Sequence, residues 1–133
     1  GDGGPYTLRY TGGTTSTNRG ITVENFCCGG ELTFVNASAG TTVTLAGTLN
    51  TGLDGISFGS SAGDTLVTGQ IIGGAGITKY GAGVVTISNN NNSYTGVTYV
   101  ESGVLNFTSI GNVSGGNSAL GAPTDIDSGT INV

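Results

Sequence analysis

The chain has 133 residues, 27 of them Gly, with 8% charged residues, a formal net charge of −5 and no His, Met or Trp. Average proteins carry about 25% charged residues, so solubility here rests on hydroxyls and amides. Arg9, Arg19 and Lys79 are the only cations, which argues against nucleic acid or an anionic membrane surface as partner, since both need basic patches.

No stretch approaches the roughly 18 consecutive apolar residues of a membrane span, and no basic n-region with an apolar core opens the chain, so no membrane insertion is expected. Starting at Gly1 rather than Met, it reads as a mature or excised piece. Abundant Thr and Val favour strands over helices throughout. In chain order, apolar residues recur two apart, as a half-buried strand presents one face to a core. The pairs are Leu8/Tyr10, Ile21/Val23, Leu32/Phe34, Val43/Leu45, Ile56/Phe58, Val85/Ile87, Leu105/Phe107 and Ile131/Val133, with single anchors at Leu66, Ile77 and Val100. Turn signals separate them: Gly12-Gly13, Gly29-Gly30, Gly40, Gly52, Gly63-Asp64, Gly73-Gly74, Gly81-Ala82-Gly83, Asn89 to Asn92 and Gly115-Gly116.

Short, evenly spaced strands fit two all-β architectures, an antiparallel β-sandwich or a β-solenoid. Three features favour the solenoid. The paired residues are small enough for a narrow interior, the Thr and Asn positions can stack as hydrogen-bonded ladders, and charges that would repel in register are scarce. At about 22 residues per rung and about 4.8 Å rise, the chain would form about six rungs, roughly 30 Å long, with unpaired strand edges at both ends. The whole of 1–133 is expected to be a single solenoid segment.

Residues 76 to 107, GITKYGAGVVTISNNNNSYTGVTYVESGVLNF, resemble the autotransporter-associated β-strand repeat of bacterial passenger domains. The resemblance rests on Ile77, Lys79, Gly81, Gly83, Val85-Thr86-Ile87, Asn92, Tyr94, Gly96, Thr98, Val100, Gly103 and Leu105, flanked by Gly69 to Gly76 upstream and Ser118-Ala119-Leu120-Gly121 downstream. It extends over about 52–133, whereas 1–51 shares only the general Gly/Thr strand pattern and is a weaker repeat or an N-terminal pairing region. It implies a right-handed parallel β-helix with Gly81, Gly83, Gly96 and Gly103 as turn residues, Asn92 and Tyr94 as corner residues, and no catalytic residue. The chain departs from that family in containing no translocator barrel and in its Cys27-Cys28 pair.

Cys27 and Cys28 are adjacent, so they can form a strained vicinal disulfide, link two subunits or stay as thiols. With no His and no other Cys to complete a ligand set, they make no metal site. Asp125 and Asp127 would face one way on a strand and so suit Ca²⁺, but solvated loop carboxylates are the simpler reading, and no metal or other cofactor is expected. The Asn89 to Asn92 run reads as a turn rather than as an amide ladder or adhesive patch. Tyr6, Tyr10, Tyr80, Tyr94 and Tyr99 would make a glycan-binding stripe if exposed, although several are spaced as core or corner residues. Glycosylation acceptor patterns at Asn36, Asn106 and Asn112 arise by chance in a chain this rich in Thr and Asn.

The expected function is therefore structural. A non-catalytic subunit of an extracellular bacterial fibre, stacking end to end with other copies, comes first, and an internal segment of an autotransporter-type adhesin passenger, flanked by further rungs and serving adhesion or biofilm formation, is the alternative. Both place it outside the cell or on its surface, with surface glycans as a further partner. A polysaccharide lyase or hydrolase on a β-helix groove is the rival, but it lacks a His, a cation beside a base, and an evident carboxylate pair.

Overall fold

The computed structural model describes residues 5–24, 29–60 and 62–133. Cys27 and Cys28 lie outside the described residues. Among the described residues, fourteen strands run in chain order: β1 (Tyr6–Tyr10), β2 (Thr15–Thr17), β3 (Ile21–Thr22), β4 (Leu32–Asn36), β5 (Thr42–Leu45), β6 (Leu49–Asn50), β7 (Ile56–Ser60), β8 (Asp64–Val67), β9 (Ile71–Ile72), β10 (Ile77–Gly81), β11 (Val84–Ile87), β12 (Thr98–Val100), β13 (Val104–Phe107) and β14 (Ile131–Asn132).

They form three parallel sheets, each collecting every third or so strand: β1-β4-β7-β10-β12-β14, then β2-β5-β8-β11-β13, then β3-β6-β9. Every strand pair is parallel. The molecule is a β-solenoid with three sides, and the antiparallel sandwich is excluded.

Period-two patterning decides which residues enter the interior. On the first side, Leu32, Ile56, Ile77 and Thr98 stack in register, and two residues on Phe34, Phe58, Lys79 and Val100 do the same. On the second side the inward rows are Val43, Thr65, Val85, Leu105 and Leu45, Val67, Ile87, Phe107. On the third they are Ile21, Leu49 and Ile71. Leu49, Val67, Ile71, Val85 and Ile87 are completely enclosed. Burying each such side chain contributes about 1.5–3 kcal/mol.

Two expectations are corrected. Leu66 is not an inward anchor. It sits on the outer face between Thr44 and Thr86 while Thr65 and Val67 point inside, because register with Val43 and Val85 outweighs the side chain's own hydrophobicity. Uniform rungs of about 22 residues are also replaced by unequal turns. The step on the first side is 26 residues from Tyr6 to Leu32, 24 from Leu32 to Ile56, 21 from Ile56 to Ile77, 21 from Ile77 to Thr98 and 33 from Thr98 to Ile131. Corner loops absorb the extra residues, so five unequal steps join the six strands of the first side, while the second side carries five strands and the third three.

Glycines at the corners allow the turns to approach. A Cβ on Gly69 would run into the Gly47 carbonyl one turn away, and a Cβ on Gly76 into the backbone of Val97. Gly81 and Gly103 adopt φ of 82° and 78°, in the left-handed region that disfavours any side chain.

Candidate functional site

The corner residues differ in what they do. Asn92 is completely enclosed and stands 21 residues beyond Ile71, where the third side would have its next strand. Its Oδ1 accepts from the Ile71 amide at 2.8 Å, and its Nδ2 donates to the Ala119 carbonyl at 2.9 Å. The side chain thus replaces a ladder carbonyl, and the backbone continues around it: Ser93 N donates to Ile71 O at 2.9 Å and Thr95 N to Gly73 O at 3.1 Å. A bridge joins Asn92 to Ser118.

Tyr94 is also fully enclosed, its hydroxyl sharing a 2.9 Å hydrogen bond with Thr98. Burial pushes its pKa well above 10.0, against a smaller opposing effect of the Thr98 hydrogen bond. It therefore belongs to the interior and not to any tyrosine stripe. Gly81 and Gly103 turn the chain at positive φ. Gly83 lies in the bend between β10 and β11, and Gly96 lets the corner pass against Gly76.

Lys79 occupies an inward position of the first side, 1% exposed, between Phe58 and Val100. Its Nζ donates to the carbonyls of Gly81 at 2.7 Å, Tyr80 at 2.9 Å and Ser102 at 3.3 Å. Three acceptors match its three donors, and desolvation lowers its pKa below 10.5. It locks one corner to the next. Asn36 does the same at another, its Nδ2 donating to the Asp64 carbonyl at 2.8 Å one turn on, so this acceptor pattern is a buried structural amide. Asn106 and Asn112 are exposed.

The Asn89 to Asn92 run is a turn whose amides also reach across turns, Asn89 Nδ2 donating to Thr68 O at 3.0 Å. Asp125 and Asp127 lie in an exposed turn and not on a strand. The Ser128 amide donates to Asp125 Oδ1 at 2.8 Å, and that bond is the main reason its pKa falls below 3.8. Among the described residues, no group of three or more His, Cys, Asp or Glu is placed to hold a metal.

Two cavities bear on function. The N-terminal end is an open mouth of about 680 Å³, lined by Leu8, Ile21, Phe34, Val43 and Leu45 among others. The second, about 350 Å³, is a lateral groove on the outside of the first sheet, lined by Glu31, Asp54, Gly55, Gly76, Thr78, Val97 and Tyr99. Tyr6 and Tyr99 are the well-exposed tyrosines. Glu31 and Asp54 escape sequence reasoning because they come from different loops, although both sit just before a strand of the first side, at Leu32 and Ile56, one turn apart.

Residues 77–107 match the passenger-associated-transport-repeat family. The chain is 40% identical over 125 residues, 91% of its length, to a protein described as "Adhesin BmaC autotransporter" from Brucella suis biovar 1 (strain 1330), and spans 3% of that relative's length. No solved structure matches it significantly. With the repeat on β10 to β13, the likeness running over nearly the whole chain and the parallel three-sided coil, the chain is a β-solenoid similar to autotransporter passenger repeat proteins.

Proposed function

We propose that the chain is a non-catalytic segment of a bacterial adhesin passenger, carried to the cell surface and serving there as a stiff spacer whose flanks are further turns of the same coil. The observation that carries this reading is the open mouth. Leu8 on β1 is 48% exposed although its register partner Phe34 is buried, and among the described residues β1, β2 and β3 each have a free edge on that side. A further turn placed there would bury the apolar rows and satisfy the edges, which is how repeat arrays gain stability. The adhesin relative supports the surface setting. For the lack of catalysis, the support is chemical: the chain has no His, and Lys79 is committed to three carbonyls inside the coil.

End-to-end stacking of separate copies is the second reading, because the far end also presents Phe107, Ile131 and Val133 to solvent. Electron microscopy of the native protein separates the two. A long rod containing this segment once, labelled on intact cells by an antibody raised to it, is the expected result. Filaments of repeated short subunits with unbroken joints would replace the passenger reading with the fibre.

A further inference from the structure

The groove beside the first sheet has features that a spacer does not require. Thr33, Ser57, Thr78 and Tyr99 follow one another in register on the outer face; Ser57 is buried, while the Thr78 hydroxyl and the exposed Tyr99 ring line the groove. Glu31 lines the groove and accepts a hydrogen bond from Ser57. Asp54 lines the same groove, and its Oδ2 is shut away with no hydrogen-bond partner. Such an acceptor normally has a donor, and a carboxylate turns easily about its last bond to meet one. On the neighbouring strip the Tyr80 ring covers Gly59 and bonds Thr33 at 3.3 Å, so the ligand-facing part of this sheet is confined to the groove.

We infer that this groove binds a neutral saccharide, a site that deepens the surface reading above and rests on it for its biological setting. The Tyr99 face packs against the C–H face of a sugar ring, the Thr78 hydroxyl can donate or accept, and the Glu31 and Asp54 carboxylates accept from sugar hydroxyls. Charge decides the class of sugar. Among the described residues no cation lines the groove, and the chain carries a net −5, so sulfated or carboxylated glycans are repelled. Two carboxylates fall well short of the six to eight or so oxygens Ca²⁺ prefers.

The test is amide-resolved NMR of the whole chain titrated separately with neutral gluco- and manno-oligosaccharides, with sulfated heparin oligosaccharides and with Ca²⁺. Neutral sugars are expected to shift the amides of Gly55, Gly76, Thr78 and Val97 without being shortened. Tyr99→Ala and Asp54→Asn should each weaken binding about tenfold with an unchanged melting temperature, and Thr44→Ala on the outer face of the second sheet should bind as the parent does. Shifts with heparin or Ca²⁺ alone, no shift with any neutral sugar at millimolar concentration, binding that survives Tyr99→Ala in a folded protein, or cleavage of the sugar would each overturn the inference. None of these outcomes alters the rod expected by microscopy, so the two readings fail separately.

Discussion

The early and late turns close their third side by different means. In the first three, short strands β3, β6 and β9 put Ile21, Leu49 and Ile71 into the core and carry the ladder in backbone bonds such as Leu49 N to Gln70 O at 2.9 Å. Afterwards no strand occupies that side among the described residues. Asn92 and Tyr94 take the inward positions, and a side-chain amide does the work of a peptide carbonyl. A solenoid needs a hydrogen-bond acceptor at each level of its wall, but the acceptor need not belong to the backbone, so polar residues can be as structural as the aliphatic rows.

The largest effect is expected where the turns touch. Gly76→Ala pushes a Cβ into the Val97 backbone, where neither side can give without moving a strand, and should cost on the order of 4 kcal/mol or more in urea unfolding. Leu49→Ala, in the stranded wall, leaves a cavity among fully enclosed neighbours and should cost about 3 kcal/mol. Asn92→Ala, in the amide-closed wall, orphans the Ile71 amide and the Ala119 carbonyl and should cost about 2–3 kcal/mol, although it removes hardly any apolar surface. Comparable losses from Leu49→Ala and Asn92→Ala would show that the two walls are equivalent. A loss at Asn92 below about 0.5 kcal/mol would show that water readily replaces the amide.

Alkaline pH probes the later turns through two groups with opposite signs. Burial lowers the Lys79 pKa below 10.5, so the unfolded chain holds that proton more tightly, and stability from this group rises with pH through the window just below 10.5. Burial raises Tyr94 above 10.0, so its contribution is complete below pH 10 and is lost above it. Denaturant midpoints between pH 9 and 11.5 should lose the rising component in Lys79→Met and the falling component in Tyr94→Phe. The smallest effect belongs to Tyr80→Phe, which removes only the 3.3 Å bond to Thr33 and should shift stability by about 0.5 kcal/mol.

The strand rows were readable from the sequence because alternation is local. Leu32/Phe34, Val43/Leu45, Ile56/Phe58 and Val85/Ile87 all point inward, as their spacing requires. What failed was anything set by the stacking partner. Leu66 looks like an anchor in its own segment, yet Thr65 is buried because Val43 and Val85 lie on either side of it. The resemblance marked Asn92 as a corner residue, but its two bonds reach 21 and 27 residues away, and no local pattern encodes those distances once the turns are unequal. The lateral groove was hidden for the same reason: Tyr99 stood out as one tyrosine among several, while Glu31 and Asp54 become neighbours only when successive turns stack.

Hydrogen exchange at the Ile71 amide tests the closure of the later turns most directly. If Asn92 substitutes for a ladder carbonyl, Ile71 N–H should exchange as slowly as Leu49 N–H, and Asn92→Ala should accelerate Ile71 while leaving Leu49 protected. Rapid exchange at Ile71 in the parent chain, or protection there that Asn92→Ala leaves unchanged, would contradict it.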